Sequence, residues 1–183
     1  MTSMSRRTLS TLALSALLAA SPCIGRAQAQ HAHVHGLLRL DIAIEGPSVV
    51  IEMDSPLDNI VGFERAPKTD AEKKTADDAI AQLRAADHLF RIDPASNCKL
   101  GPVKLNSAAL GLAKSDADTT EGHADLDGSF AFNCTNAPTA KFIDVALFDA
   151  FKGVRQIDVQ IVSPQGEFKR TLKRPNGHLT WGK

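Results

Sequence analysis

Residues 34–44 read Val34-His35-Gly36-Leu37-Leu38-Arg39-Leu40-Asp41-Ile42-Ala43-Ile44. Apolar residues or glycine occupy every second position of this stretch, and more polar residues fill most positions between them. This period of two predicts a β-strand with one face in a core and the other toward water. The following Glu45-Gly46-Pro47-Ser48 is typical of a turn, and residues 49–53 return as a second strand. The two segments therefore predict a hairpin.

The rest of the chain predicts one helix and several more strands. Thr69 and Glu72 form a capping-box pattern, and apolar residues then recur at helical spacing up to about residue 88. Residues 57–67 show no clear period, which favours a packed loop before this helix. Short β segments follow at residues 89–92, 102–105, 124–133, 142–147, 154–162, 167–172 and 178–181. We expect the α+β class: a single antiparallel-β-rich domain with sandwich-like sheets and one long helix near residues 69–88.

The first 29 residues predict a secretory signal peptide. Arg6 and Arg7 precede a short apolar run, and Ala27-Gln28-Ala29 fits a signal-peptidase site. We expect residues 1–29 to be removed, which leaves residues 30–183 with 18 basic and 21 acidic side chains. This balance provides no basic patch for nucleic acid. No second apolar run is long enough for membrane insertion of the mature chain.

Two cysteines, Cys98 and Cys134, remain once the signal is removed. In an oxidising compartment, the simplest state of two cysteines is one disulfide. A metal site with cysteine ligands is the alternative, but the chain lacks the Cys-x-x-Cys spacing that such sites usually have. The sequence therefore favours a Cys98–Cys134 disulfide.

Three of the six histidines, His31, His33 and His35, stand at alternate positions directly after the predicted cleavage site. On an extended strand they share one face, and imidazole is a good ligand for zinc, copper and nickel. His33 and His35 are close enough on a strand to bind one ion, whereas His31 joins them only if the chain end curls. His123 and Asp125 repeat the alternate spacing and are the best distal ligands.

Each of these assignments has a simpler alternative. The histidine run can be a polar tail without a function, and His123 can be an exposed loop residue. Glu64 is a weaker candidate ligand, because it can pair with Arg65 instead. The chain has no glycine-rich phosphate loop, no His-Glu-x-x-His motif and no nucleophile elbow, so we expect no enzymatic activity.

Several segments together resemble the ZrgA-type zinc-uptake proteins of the Gram-negative periplasm. These segments are residues 31–36, residues 55–67 with the run Gly62-Phe63-Glu64, Cys98, residues 123–134 and residues 147–151. They occur in order over most of the chain. The chain differs from many relatives in two places: residues 114–122 are acidic but contain no histidine, and Arg65 stands where histidine is frequent.

The resemblance implies a non-catalytic periplasmic protein that binds zinc and assists zinc uptake, beside an ABC-type zinc transporter or its binding protein. On this interpretation residues 30–183 form a single metal-binding domain, in which His33 and His35 anchor one Zn²⁺ and His31 with His123 or Asp125 completes the coordination. Two alternatives stay open. One is a periplasmic carrier of Cu²⁺, because the Irving–Williams order favours copper at any imidazole site. The other is a structural or interaction module whose histidine-rich N-terminus is incidental.

Overall fold

Alternating apolar residues build nine strands within residues 34–112 and 124–182, the parts of the chain that the computed structural model describes. The strands are β1 (Leu37–Glu45), β2 (Ser48–Pro56), β3 (Phe90–Ile92), β4 (Cys98–Asn106), β5 (Asp125–Cys134), β6 (Phe142–Val145), β7 (Gln156–Ser163), β8 (Gly166–Lys173) and β9 (His178–Thr180). The helices are α1 (Leu57–Val61), α2 (Asp70–Arg84) and α3 (Leu147–Ala150), with short 3₁₀ turns at Pro94–Ser96 and Ala137–Thr139.

The strands form two sheets. The larger sheet has the order β4-β5-β2-β1-β7-β8 and the smaller one the order β3-β6-β9. All neighbouring strands are antiparallel except β1 and β7, which run parallel. The predicted hairpin of β1 and β2 is present. This arrangement confirms the predicted α+β class, although alternation within single strands does not predict the parallel pair.

The alternation in β1 decides which face of the larger sheet is buried. The buried residues of this strand are Leu38, Leu40, Ile42 and Ile44. The core that they enter continues through the smaller sheet and α2. Phe90 of β3 contacts Phe130 of β5, with 5.2 Å between the ring centroids. The two sheets therefore share one hydrophobic core.

Helix α2 begins as the capping box predicts. The Thr69 hydroxyl accepts a hydrogen bond from the Glu72 N–H (3.2 Å), and the Glu72 carboxylate accepts one from the Thr69 N–H (3.3 Å). Its buried residues are Ala76, Ala79 and Leu83. The helix ends at Arg84, before the predicted end near residue 88, because the chain then forms tight hydrogen-bonded turns.

The start of β1 differs from the prediction. The strand begins at Leu37 rather than residue 34, because Gly36 has a φ of 87° and the Leu37 N–H bonds back to the Val34 carbonyl (3.0 Å). A positive φ of this size suits glycine and interrupts an extended strand. His35 therefore lies in a turn, and its predicted place on the strand is wrong; His33 lies outside the described residues.

The segment predicted as a packed loop, residues 57–67, begins with helix α1. Its apolar residues enter the core, which explains why the segment lacks the period of an exposed, one-sided helix. The residues of α1 that are buried are Leu57, Asn59, Ile60 and Val61. The rest of the segment is irregular and leads to α2.

Cys98 of β4 and Cys134 of β5 are direct partners across the larger sheet and form the predicted disulfide. A structural disulfide fits a protein that folds outside the cytoplasm. No helix within residues 34–112 or 124–182 has the length and apolar character needed to cross a membrane. The predicted signal peptide, residues 1–29, lies outside the described residues.

Candidate metal centre

One imidazole and two carboxylates meet next to the beginning of β1. His35 Nδ1 lies 3.0 Å from Asp58 Oδ2, and His35 Nε2 lies 3.1 Å from Glu64 Oε1. One ligand atom from each of the three residues lies within 4.8 Å of the other two. The side chain of His35 is 66% exposed, that of Glu64 42% and that of Asp58 23%. The group is therefore open to an ion from solvent.

Helix α1 brings the two carboxylates to the same place. Asp58 lies in its first turn, and Gly62 ends the helix with a left-handed backbone (φ 85°). The Gly62 N–H bonds to the Asp58 carbonyl (2.9 Å), so the chain turns sharply after a single short helix. Glu64 follows this turn and returns to the side of His35 on which Nε2 lies.

Arg65, the next residue, points to a different partner. Its guanidinium donates two hydrogen bonds to the Glu72 carboxylate of α2, at 2.7 and 2.9 Å. The Lys68 N–H bonds to the same carboxylate (2.6 Å). The hydrogen bonds from Arg65 and then from the Lys68 backbone lower the pKa of Glu72 to about 2. The alternative in which Glu64 pairs with Arg65 is therefore wrong, since Arg65 pairs with Glu72 and Glu64 faces His35.

The position of His35 between two carboxylates favours a positive charge on or beside the ring. A neutral imidazole has one N–H and one acceptor nitrogen, so it can donate a hydrogen bond to only one of the two carboxylates. The other contact, between a nitrogen lone pair and a carboxylate oxygen, is repulsive unless a second proton or a metal ion lies there. The second oxygen of Asp58, Oδ1, is buried and accepts no hydrogen bond from the described residues. Buried carboxylate oxygens usually have a partner, so Oδ1 is a polar atom that the described residues leave unsatisfied beside the group.

The donor spacing fits zinc. In a tetrahedral zinc site, metal–donor distances of about 2.0–2.1 Å place neighbouring donor atoms about 3.3 Å apart. The contacts of 3.0 and 3.1 Å involve different nitrogens of the imidazole, so an ion bound to one nitrogen meets one carboxylate directly, and the other carboxylate must move around the ring to reach it. Imidazole nitrogen and carboxylate oxygen are both common zinc ligands. Three protein donors leave at least one coordination position for a further ligand.

Of the other predicted ligands, only Asp125 lies within the described residues. His31, His33 and His123 lie outside the described residues. Asp125 is the first residue of β5, where it is the cross-strand partner of Pro56, and it does not belong to the group around His35. The preceding residue, Ala124, accepts a hydrogen bond from the Leu57 N–H (2.7 Å). Ala124, the first described residue before β5, therefore lies beside the helix that carries Asp58.

Sequence reasoning missed Asp58 altogether. Its only local signal is an acidic residue directly after Ser-Pro-Leu, which is common at the start of a helix and does not indicate a metal site. Its role depends on a contact with His35, 23 residues earlier in the chain, and this contact has no local pattern. Glu64 was predicted only as a weaker candidate ligand.

Comparison with known proteins gives one negative result and one family match. A search of curated protein sequences finds no match for this chain. The model of the ZrgA family of zinc uptake proteins matches residues 32–181, which include β1 to β9 and all three residues of the candidate site. The chain therefore belongs to the ZrgA family of zinc uptake proteins.

Proposed function

We propose that this chain is a periplasmic zinc-binding protein that assists zinc uptake and has no enzymatic activity. The observation that carries the proposal is the position of His35 between Asp58 and Glu64. Zinc is the cargo of this site. Membership of a zinc uptake family and a disulfide suited to an oxidising compartment support the same function.

The chemistry of the donors favours Zn²⁺ over Cu⁺. The three described donors are one nitrogen and two oxygens, whereas Cu⁺ prefers the sulfur of cysteine or methionine. Cys98 and Cys134 are joined in the disulfide and offer no thiolate. Cu²⁺ binds imidazole more tightly than Zn²⁺ does, so the site alone does not reject it. The choice between zinc and Cu²⁺ therefore depends on which ion the site meets and releases.

We propose that histidines outside the described residues complete the coordination. His33 precedes His35 by two residues, with His31 before it, and His123 precedes the Ala124 that contacts α1. A site made of exposed donors exchanges ligands more readily than a buried one. This property suits transfer to a partner, which we propose is an ABC-type zinc transporter or its binding protein.

The test is a competition titration of the mature protein with Zn²⁺ and Cu²⁺ at pH 7.5 and pH 5.5. We expect one zinc ion per chain at pH 7.5 and much weaker binding at pH 5.5, because imidazole must be neutral to bind a metal. His35→Ala should weaken zinc binding at least tenfold, as should Asp58→Asn and Glu64→Gln. His178→Ala is the matched control, because His178 is also exposed and paired with a carboxylate, that of Asp144 (2.7 Å).

Two results would contradict the proposal: no zinc binding at pH 7.5, or equal zinc affinity of the wild type and His35→Ala. A growth assay in chelator-treated medium addresses the two alternatives. A zinc uptake protein is needed when zinc is scarce, and a copper carrier is needed when copper is in excess. An interaction module with an incidental histidine run keeps its full function after deletion of residues 30–35.

A further inference from the structure

A buried asparagine connects the two elements that carry His35 and Asp58. Asn59 follows Asp58 in α1, and its side chain is almost fully buried (1% exposed). Its Oδ1 accepts a hydrogen bond from the Gly36 N–H (2.6 Å), and its Nδ2 donates one to the Leu37 carbonyl (2.8 Å). One amide group thus satisfies both the donor and the acceptor that the turn after His35 exposes to the core.

The opposite side of this turn is held by the chain that leads into β7. The Gly36 carbonyl accepts hydrogen bonds from the N–H groups of Arg155 (2.8 Å) and Gln156 (2.9 Å). Gly153 packs on the backbone of Asn59 so closely that an added Cβ would lie 2.7 Å from the Asn59 Cα. The turn is therefore fixed between α1 and the start of β7, and Asn59 is the side chain that joins it to α1.

We propose that Asn59 is a positioning residue of the metal centre: it holds the turn that carries His35 against the helix that carries Asp58. The inference rests on the proposed function, in which His35 and Asp58 bind zinc together. Asn59 lies one residue from Asp58 and contacts the two residues that follow His35. Loss of its amide removes the two hydrogen bonds by which α1 holds the backbone of the turn, and the imidazole and the carboxylate separate.

The first measurement is the zinc affinity of Asn59→Ala, obtained by competition with a chromophoric chelator. We expect zinc binding at least tenfold weaker than in the wild type. Asp93→Ala is the matched control, because Asp93 is also a buried polar side chain that bonds to two backbone N–H groups, those of Ala95 (3.0 Å) and Lys141 (3.1 Å). We expect its zinc affinity to stay within twofold of the wild type. Equal losses in the two variants would overturn the proposal.

A double-mutant cycle tests whether Asn59 acts through His35. If it does, Asn59→Ala weakens zinc binding strongly in the wild type but has little further effect in the His35→Ala background. Additive losses would overturn the proposal. Cobalt(II) gives a second readout, because its visible absorption changes when a nitrogen donor is lost. We expect Asn59→Ala to lose the same spectral feature as His35→Ala, and a wild-type spectrum would count against it.

Two further measurements cover the cases in which these variants are uninformative. If Asn59→Ala does not fold, Ser55→Ala replaces it, because the Ser55 hydroxyl accepts a hydrogen bond from Asn59 Nδ2 (3.3 Å) and helps to orient the amide. We expect zinc binding several-fold weaker, and an unchanged affinity would overturn the proposal. If the wild type binds no zinc, the proposed function fails on its own. NMR contacts between the His35 ring and Asp58 then decide the positioning role: they should disappear in the Asn59 or Ser55 variant and persist in Asp93→Ala.

Discussion

Glu64 and Arg65 are adjacent in the sequence, but their charged groups bind different parts of the protein. The Glu64 carboxylate contacts His35 (3.1 Å), whereas the Arg65 guanidinium contacts Glu72 of α2 (2.7 Å). This separation prevents the arginine from neutralising its neighbour, so the negative charge of Glu64 stays available to the metal centre. It also makes Glu72 an anchor for the loop that carries Glu64.

Replacement of Glu72 by glutamine should destabilise the protein in a pH-dependent manner. The pKa of Glu72 is lowered to about 2, so the folded state favours its ionised form relative to the unfolded chain, where the value is about 4.3. The stabilisation is therefore present above about pH 4.3 and is lost as the pH falls toward 2. We expect Glu72→Gln to unfold at lower urea concentration than the wild type at pH 7, with a difference that shrinks at pH 2–3.

Asp78→Asn provides the control for this experiment. Asp78, like Glu72, lies in α2 and pairs with a basic side chain, that of Lys74. Both side chains of this pair are more than half exposed, and both belong to the helix, so the pair anchors no loop. Surface pairs of this kind contribute little to stability. A constant difference between Glu72→Gln and the wild type from pH 7 to pH 2 would contradict the prediction.

The elements predicted correctly are those whose signal is local. The alternation in β1, the capping box of Thr69 and Glu72 and the two cysteines each depend on physics within a short segment or on the redox compartment. The metal centre is different. The alternation of its neighbours predicts a strand at His35, but the hydrogen bonds of Asn59 with Gly36 and Leu37 fix a turn instead. The contact between Gly36 and Asn59 joins residues 23 positions apart, and no local sequence pattern predicts it.

The disulfide should stabilise the fold without affecting the metal centre. Cys98 and Cys134 are 36 residues apart in the chain, and a cross-link of this span contributes about 3–4 kcal/mol to stability in the chain-entropy model. Cys134 ends β5, and Asp125 at the other end pairs with Pro56, directly before α1. A strand of this length places the disulfide about 30 Å from that end of the sheet.

We therefore expect the double variant Cys98→Ser, Cys134→Ser to unfold more easily by about 2–4 kcal/mol, as measured by urea denaturation. Its zinc affinity should stay within twofold of the wild type under conditions where both are folded. A large loss of zinc affinity in the folded variant would show that the two ends of β5 are coupled. Reduction of the wild type should reproduce the change in stability.

Asp127 should oppose folding at neutral pH. It lies on the outer face of the larger sheet, opposite Asp54 of β2. Partial shielding from water and then the negative charges of Asp54 and Asp125 raise its pKa. The folded state therefore holds the proton more tightly than the unfolded chain does, and stability falls as the pH rises through the raised pKa.

Asp127→Asn should therefore be more stable than the wild type at pH 7, by about 0.2–1 kcal/mol, the usual size of cross-strand pair effects. The gain should disappear below about pH 3.9, where the carboxyl group is protonated in both states. Asp158→Asn is the control, because Asp158 accepts hydrogen bonds from Gln156 (2.9 Å) and Thr171 (3.0 Å) and should gain nothing. A destabilised Asp127→Asn at pH 7 would refute this interpretation.

The last prediction concerns the ligands that complete the coordination. The segment with His31 and His33 leads directly into the turn that carries His35, and His123 precedes the Ala124 that bonds to α1. X-ray absorption at the zinc edge counts imidazole ligands, and we expect at least two in the wild type. The double variant His31→Ala, His33→Ala or the single variant His123→Ala should lose one imidazole and bind zinc about tenfold more weakly, a change of about 1.4 kcal/mol. His88→Ala, which removes an exposed histidine just after α2, should change neither quantity. If both variants keep the wild-type imidazole count, water completes the coordination, and the histidine run is an incidental tail.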